Sequence, residues 1–176
     1  MIGAGFIGLE MAENLAEQGI HVSVVEGASH VMPPIDMDMA HQVHNYIRSK
    51  GIRLYLGQIC TAMDEDGVIL KNGDKVQADM VILSIGVRPD TDFLKNSGIA
   101  LGTRGEILVN NYMETSQPDV YALGDAVSVR HVVSGEQVLI PLASPANKQG
   151  RIVGDNLCGR KRRYEGSQGT SIMKVF

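Results

Sequence analysis

The chain opens with an apolar pattern of helical period. Ile7, Met11 and Leu15 recur every four residues and predict a helix that Gly19 ends, because glycine adopts the backbone conformation that closes helices. Residues 21–26 are then β-branched and apolar up to an acidic last position. This segment predicts a strand directly after the helix.

The same order of elements repeats further along the chain. Met39, Val43 and Ile47 lie on one helical face, and Asp36 precedes them as an N-cap. Residues 52–56 form a short segment that is apolar except for Arg53, which predicts a strand. Strands that alternate with helices are typical of a parallel sheet.

The middle of the chain changes to strand-like patterns. Residues 68–71 and 74–77 flank Asn72-Gly73, and this dipeptide predicts a tight β-hairpin. Residues 80–85 are apolar except for Ser84 and predict a buried strand. The predicted class is α/β, with a central parallel sheet, helices and a small antiparallel meander.

The last third carries weaker strand signals and one clear helix. Residues 106–109 and 120–123 predict short strands, and a second hairpin is predicted around Ser134-Gly135. Residues 144–157 predict a helix.

Composition narrows the classes of function. The 176 residues carry a formal charge of −4, which argues against binding to nucleic acid or to an anionic membrane. Cys60 and Cys158 are isolated thiols, and the chain has no secretory leader, so we expect a reducing cytoplasm. His41 and His44 share a helix face but have no evident further ligands, so no metal site is expected.

A glycine motif stands directly before the first helix. Gly3, Gly5 and Gly8 have the spacing of a dinucleotide fingerprint, in which each glycine has its own task. Gly3 permits the tight turn, Gly5 lets a pyrophosphate approach the backbone, and Gly8 allows close packing of the helix on the sheet. The helix N-terminus then favours the diphosphate charge.

An acidic residue closes the next strand at the distance that the fingerprint requires, about 20 residues on. This residue, Glu26, can accept hydrogen bonds from both hydroxyls of an adenosine ribose and would repel the phosphate of NADP. Gly27 and Ala28 follow it rather than an arginine. The sequence therefore favours NAD(H) over NADP(H).

With these residues in place, the chain resembles the pyridine nucleotide-disulfide oxidoreductases, above all the branch of coenzyme A disulfide reductases, NADH oxidases and NADH peroxidases. Four strings in the same order carry the resemblance: GAGFIGLEMAE at 3–13, LSIGVRP at 83–89, TSQPDVYALGDA at 115–126 and PLASPANKQGR at 141–151. The resemblance implies a Rossmann-like FAD/NAD(P)-binding fold.

The family likeness also implies roles for particular residues. It places Ile7 and Glu10 beside the nicotinamide and makes Gly86 a backbone contact to NAD; Phe6 lies within the same motif. It implies that Asp125, after Gly124, binds the ribityl chain of FAD, because a carboxylate accepts hydrogen bonds from polyol hydroxyls. The backbone at Leu142 and Ala143 would lie against the flavin ring, with the positive end of the following helix directed at it.

The resemblance further implies how the chain is divided. Residues 1–86 would form the NAD(H)-binding domain, 87–164 the C-terminal half of the FAD-binding domain, and 165–176 the start of an interface domain. Relatives carry another glycine fingerprint and a redox cysteine in an N-terminal flavin segment, and neither Cys60 nor Cys158 stands in that context. We therefore expect this chain to be a fragment of a longer, homodimeric protein, inactive by itself and without a catalytic residue of its own.

The implied activity is NADH oxidation through FAD. Its terminal acceptor stays open among a disulfide such as coenzyme A disulfide, oxygen, peroxide and polysulfide. Two alternatives also stay open: a flavoprotein of the ferredoxin-reductase type, which needs no redox cysteine, and a non-catalytic NAD(H)-binding module.

Overall fold

A computed structural model describes residues 1–175 of the chain. The chain divides into two compact units. The first comprises Met1–Gly86 together with residues 173–175, and the second comprises Val87–Ile172.

The first unit contains a parallel sheet with helices between its strands. Its elements are α1 Phe6–Glu17, β1 Ser23–Glu26, α2 Met37–Ser49, β2 Arg53–Leu56, β3 Cys60–Asp64, β4 Gly67–Leu70 and β5 Lys75–Gln77. β1 pairs in parallel with β2, with Ser23 opposite Arg53. Ile2 forms parallel bridges to Val25 on one side and to Leu83 on the other. The predicted strand–helix–strand order of residues 1–56 is therefore confirmed.

The prediction of a buried strand over residues 80–85 is wrong. Leu83 makes a single bridge to Ile2, and Met80, Leu83 and Ile85 are 73%, 58% and 74% exposed. A run of apolar residues becomes a buried strand only when neighbouring strands and a covering layer enclose it. Within the described chain, backbone pairing of this segment reaches only Ile2. Val81 and Ile82 are half-buried, and the other three apolar side chains stay exposed.

The meander is larger than predicted. β4 and β5 form the hairpin around Asn72-Gly73, which confirms that prediction. β3 adds a third antiparallel strand on the other side of β4. Four of its five side chains are exposed, so no apolar alternation marked it in the sequence.

The core of the first unit lies between α1, α2 and the parallel strands. Its buried members are Ala4, Leu9, Ala12, Val22, Val24, Val31, Met32, Ile47 and Ile52. α1 buries Leu9 and Ala12, whereas Ile7 and Met11 of the predicted stripe are 52% and 38% exposed. One face of α1 near the glycine turn therefore carries exposed apolar side chains.

The second unit contains one mixed sheet and one long helix. Its elements are a 3₁₀ turn at Asp92–Leu94, β6 Ile107–Leu108, β7 Val127–Arg130, β8 Gln137–Leu139 and α3 Ala143–Leu157. β6 pairs in parallel with β7, and β7 pairs antiparallel with β8 around Ser134-Gly135, as predicted. The predicted strand over 120–123 is reduced to a bridge between Tyr121 and Glu114.

The last residues divide between the two units. Residues 165–172 belong to the second unit. Met173 and Val175 pack against the core of the first unit, and Lys174 Nζ lies 3.9 Å from Glu13 Oε1. Phe176 lies outside the described residues. The assignment of 165–176 to a further domain stays a prediction.

Candidate dinucleotide and flavin sites

The glycine turn is held tightly at its two outer positions and open at its middle one. A Cβ at Gly3 would meet Ser84 C at 2.7 Å, and Gly3 has a φ of +101°. A Cβ at Gly8 would meet Gly3 C at 3.0 Å and Gly3 O closer still. At Gly5, by contrast, no atom beyond its own chain neighbours lies within 4 Å of the Cβ position. Only the middle glycine therefore leaves space for a ligand against the backbone.

The start of α1 offers unpaired amide groups next to that space. Gly5 is the N-cap, with extended backbone and no side-chain cap. The first helical hydrogen bond runs from Leu9 N to Gly5 O, at 3.0 Å. The N–H groups of Phe6, Ile7 and Gly8 therefore have no partner within the helix, which is the arrangement that binds anions such as diphosphate.

Glu26 lies at the end of β1, and its carboxylate points to the glycine turn. Oε2 accepts a hydrogen bond from Ala4 N and Oε1 accepts one from Ala28 N, each at 2.7 Å. A carboxylate has about four acceptor positions, so each oxygen keeps capacity for a ribose hydroxyl. The backbone thus fixes the acid beside the turn without exhausting it.

The remaining predicted NAD contacts lie around the same turn. Phe6 and Ile7 are 36% and 52% exposed, and Glu10 is exposed one turn further along α1. Gly86 has a φ of +110° and open space at its Cβ position. Gly86 comes two residues after Ser84, whose backbone a Cβ at Gly3 would meet. The structure therefore brings all eight predicted NAD residues into the first unit, near one end of the sheet.

The predicted flavin residues all lie in the second unit. Gly124 has a φ of +92°, and its N–H donates to Gln149 Oε1 at 2.7 Å. Asp125 is exposed directly after it. Leu142 is the extended N-cap of α3, and Ala143 begins the helix.

The free amides at the start of α3 add a positive end to this group of residues. The first helical bond of α3 runs from Ala146 N to Leu142 O, at 3.2 Å. The N–H groups of Ala143 and Ser144 therefore have no helical partner, and Pro145 has no backbone N–H. An exposed carboxylate and a helix N-terminus suit a ligand that carries hydroxyls and a polar ring edge.

A comparison with known proteins decides the family. A family model described as pyridine nucleotide-disulphide oxidoreductase matches residues 1–150. The chain belongs to this family. The resemblance drawn from the four sequence strings and the Rossmann-like α/β fold are both confirmed.

Relatives of this oxidoreductase family match along the whole chain. The NADH oxidase of Enterococcus faecalis is 36% identical over 100% of this chain and 41% of its own length. A crystal structure of reduced Bacillus anthracis CoADR-RHD is 47% identical, with a TM-score of 0.96 over 99% of this chain and 32% of that one. The NADH-bound, water-forming NADH oxidase of Lactobacillus brevis is 34% identical, with a TM-score of 0.90 over 99% and 40%. The chain thus spans about 40% of the curated relatives it matches.

A buried histidine supports the loop that follows Glu26 in this member of the family. His44 is 4% exposed, and its Nε2 accepts a hydrogen bond from Val31 N at 3.1 Å. Met32 N in turn donates to Ala4 O, within the glycine turn, at 2.8 Å. Burial lowers the pKa of His44, and the cationic Arg48 together with His41 and His30 lowers it further. His44 is therefore a neutral acceptor in the folded protein.

We predict that stability decreases on acidification because His44 must stay neutral. Its folded pKa lies below the unfolded value of about 6.5, so the unfolded state binds more protons below that pH. The contribution of His44 to the free energy of unfolding should be level above pH ~6.5 and fall below it. His44→Gln, which keeps an acceptor, should flatten this dependence in urea titrations at several pH values. The control His21→Gln removes an exposed histidine, and equal slopes in all three proteins would contradict the prediction.

Other groups singled out in the sequence have local explanations. Cys60 and Cys158 are both free, and Cys60 Sγ contacts Ala62 O at 3.3 Å. Basic residues after α3 are paired locally as well, since Arg160 and Arg162 each form an ion pair with Asp155. Among residues 1–175, no three His, Cys, Asp or Glu side chains are placed to hold a metal ion. None of the helices in that range is both long and apolar enough to span a bilayer.

The main contact that the sequence analysis missed is that of Gln149, which reaches Gly124 across 25 positions of the chain. A signal was present: Gln149 stands between Pro145 and Val153 at spacings of four, so a polar residue interrupts the apolar face of a predicted helix.

Proposed function

We propose that this chain is the nucleotide-binding part of a flavin-dependent pyridine nucleotide-disulfide oxidoreductase. The whole protein would oxidise NADH through FAD and reduce a disulfide such as coenzyme A disulfide, or oxygen or peroxide. The main support is the Glu26 carboxylate, which two backbone amides hold beside an open glycine turn. Relatives named NADH oxidase and coenzyme A disulfide reductase, similar over the full chain, support the same reading.

In this proposal the first unit binds NAD(H). The turn formed by Gly3, Gly5 and Gly8 leaves space for the diphosphate, and the free N–H groups of Phe6, Ile7 and Gly8 bind it. The Glu26 carboxylate binds the adenosine ribose. Glu10 and Ile7 border the nicotinamide, and Gly86 contacts the dinucleotide through its backbone. These residues bind and orient the nucleotide, and a carboxylate at position 26 disfavours the extra phosphate of NADP(H).

The second unit contributes to the FAD site. Asp125 after Gly124 accepts hydrogen bonds from the ribityl hydroxyls, and the backbone at Leu142 and Ala143 lies against the flavin ring. When bound, the two cofactors supply the hydride-transfer chemistry, and the protein supplies binding and orientation.

The proposal includes an organisation and a location. Residues 1–86 form the NAD(H) domain, 87–164 contribute to the FAD domain, and 165–176 lead towards an interface domain. The redox cysteine lies upstream in a longer homodimeric protein that acts on a small molecule in the cytoplasm. That the chain spans about 40% of its curated relatives supports this organisation.

Calorimetric titration of the 176-residue chain with NADH and with NADPH tests the nucleotide assignment. We expect weak binding of NADH and weaker binding of NADPH, because Glu26 repels the additional phosphate. Equal affinity would contradict the role of Glu26. We also expect the purified chain to show no flavin absorbance. Co-purified flavin would contradict the proposal that this chain holds only part of the FAD site. Tight NADH binding that is indifferent to flavin would favour a nucleotide-binding module instead.

A further inference from the structure

Gln149 is a polar residue on the buried face of α3. Pro145, Gln149 and Val153 are spaced four residues apart and are the buried residues of that helix. Gln149 is only 1% exposed. Burial of an amide side chain costs free energy unless the amide is hydrogen-bonded, so a glutamine at this position requires a hydrogen-bond partner.

The partner of Gln149 lies in the turn directly before Asp125. The Oε1 atom of Gln149 accepts from Gly124 N at 2.7 Å. The orientation of the side-chain amide follows, because only its oxygen can accept from a backbone N–H. Gly124 has a φ of +92°, a conformation that side chains disfavour, and Val127 N returns to Gly124 O at 3.4 Å. The turn is thus held by its amide on α3 and by its carbonyl on the start of β7.

We propose that Gln149 is a positioning residue of the flavin site. Its hydrogen bond connects the Gly124-Asp125 turn to α3, the helix that begins directly after Leu142. The carboxylate of Asp125 and the amides at the start of α3 are thereby presented to one ligand in a fixed relation. This inference rests on the proposed binding of FAD. Gln149 is needed for that geometry and not only for the volume that it fills.

The test compares variants of the full-length flavoprotein that carries this chain. Gln149→Met keeps the length of the side chain and removes the acceptor, whereas Gln149→Glu keeps an acceptor oxygen. We expect Gln149→Met to raise the Kd for FAD about tenfold, since it removes one buried hydrogen bond. Gln149→Glu should restore the Kd to within about threefold of the wild-type value, because its carboxylate takes over the acceptor role. Fluorescence quenching of FAD on titration into apoprotein measures each Kd.

Val153→Ala is the matched control, because it weakens the same buried face one turn later without touching Gly124. It should lower the melting temperature and leave the Kd for FAD unchanged. Hydrogen exchange of the Gly124 amide in the apoprotein gives a readout independent of flavin. Exchange should be slow in the wild-type, Gln149→Glu and Val153→Ala proteins and fast in Gln149→Met.

The outcomes separate this inference from the proposed function. If the wild-type full-length protein binds no FAD, the proposed function fails, whatever the exchange data show. If the wild-type protein binds FAD and Gln149→Met binds it equally well, the inference fails alone. Should Gln149→Met not fold, Gln149→Asn replaces it, because its shorter amide cannot reach Gly124; an unchanged Kd there would overturn the inference in the same way.

Discussion

Gly5→Val is expected to weaken NADH binding at least about tenfold while the protein stays folded. The Cβ position of Gly5 has no neighbour within 4 Å, so the fold accepts a side chain there. Its extended backbone, with φ −74° and ψ −173°, also suits a β-branched residue. The isopropyl group would occupy the space proposed for the diphosphate, and such overpacking costs about 1–3 kcal/mol. Saturation-transfer NMR measures the affinity, and circular dichroism measures the melting temperature.

The same substitution at Gly8 provides the contrast. A Cβ at Gly8 meets Gly3 O and Gly3 C, both backbone atoms that cannot move aside alone. Gly8→Val should therefore destabilise the fold by about 3 kcal/mol, whereas Gly5→Val should cost about 1 kcal/mol as a poorer N-cap. Unchanged NADH affinity in Gly5→Val would contradict the diphosphate assignment. Equal melting temperatures of the two variants would contradict the close contact at Gly8.

The contrast between these glycines shows what local sequence can predict. The turn, α1 and the acid at the end of β1 lie within 26 residues, and each has a signal that needs no distant partner. The Asn72-Gly73 hairpin was predictable for the same reason. Local backbone demands and helical periodicity therefore account for the parts of the fold that position the candidate NAD site.

The strand predictions that were wrong or missing concern segments whose structure depends on residues far away in the chain. The apolar run at 80–85 has the composition of a buried strand, but burial is decided by what pairs with and covers it, and that information lies elsewhere in the chain. β3 is a strand because β4 pairs with it, not because its own exposed residues require it.

The groups that orient the side chains and turns of the candidate sites could not be predicted from the sequence either. The sequence marks Glu26 as an acceptor but does not show that Ala4 N and Ala28 N hold both of its oxygens. It does not show that Gln149 reaches Gly124 either. Residue type and spacing can therefore nominate a ligand-binding side chain, whereas the groups that orient it emerge only once the chain has folded.

Glu26→Gln is expected to weaken NADH binding by about tenfold to a hundredfold and to remove the preference over NADPH. The amide keeps only one oxygen, so one of the two backbone donors, Ala4 N or Ala28 N, loses its acceptor. One ribose hydroxyl likewise loses the charged oxygen that accepts its hydrogen bond. Hydrogen bonds to charged groups contribute about 1.5–3 kcal/mol each, which gives that range. NADPH should lose less affinity, because the neutral amide no longer repels its additional phosphate.

The ratio of the NADH affinity to the NADPH affinity distinguishes recognition of the ribose by Glu26 from a general loss of structure in the turn. Glu17→Gln is the matched control: it removes the same charge from the exposed end of α1, away from the turn, and should leave both affinities unchanged. A loosened turn would lower NADH and NADPH affinity by the same factor, because both ligands carry the same diphosphate. A carboxylate that reads the ribose must instead lower the affinity for NADH more than that for NADPH. Parallel losses in Glu26→Gln would therefore assign this acid to the stability of the turn and not to the choice of nucleotide.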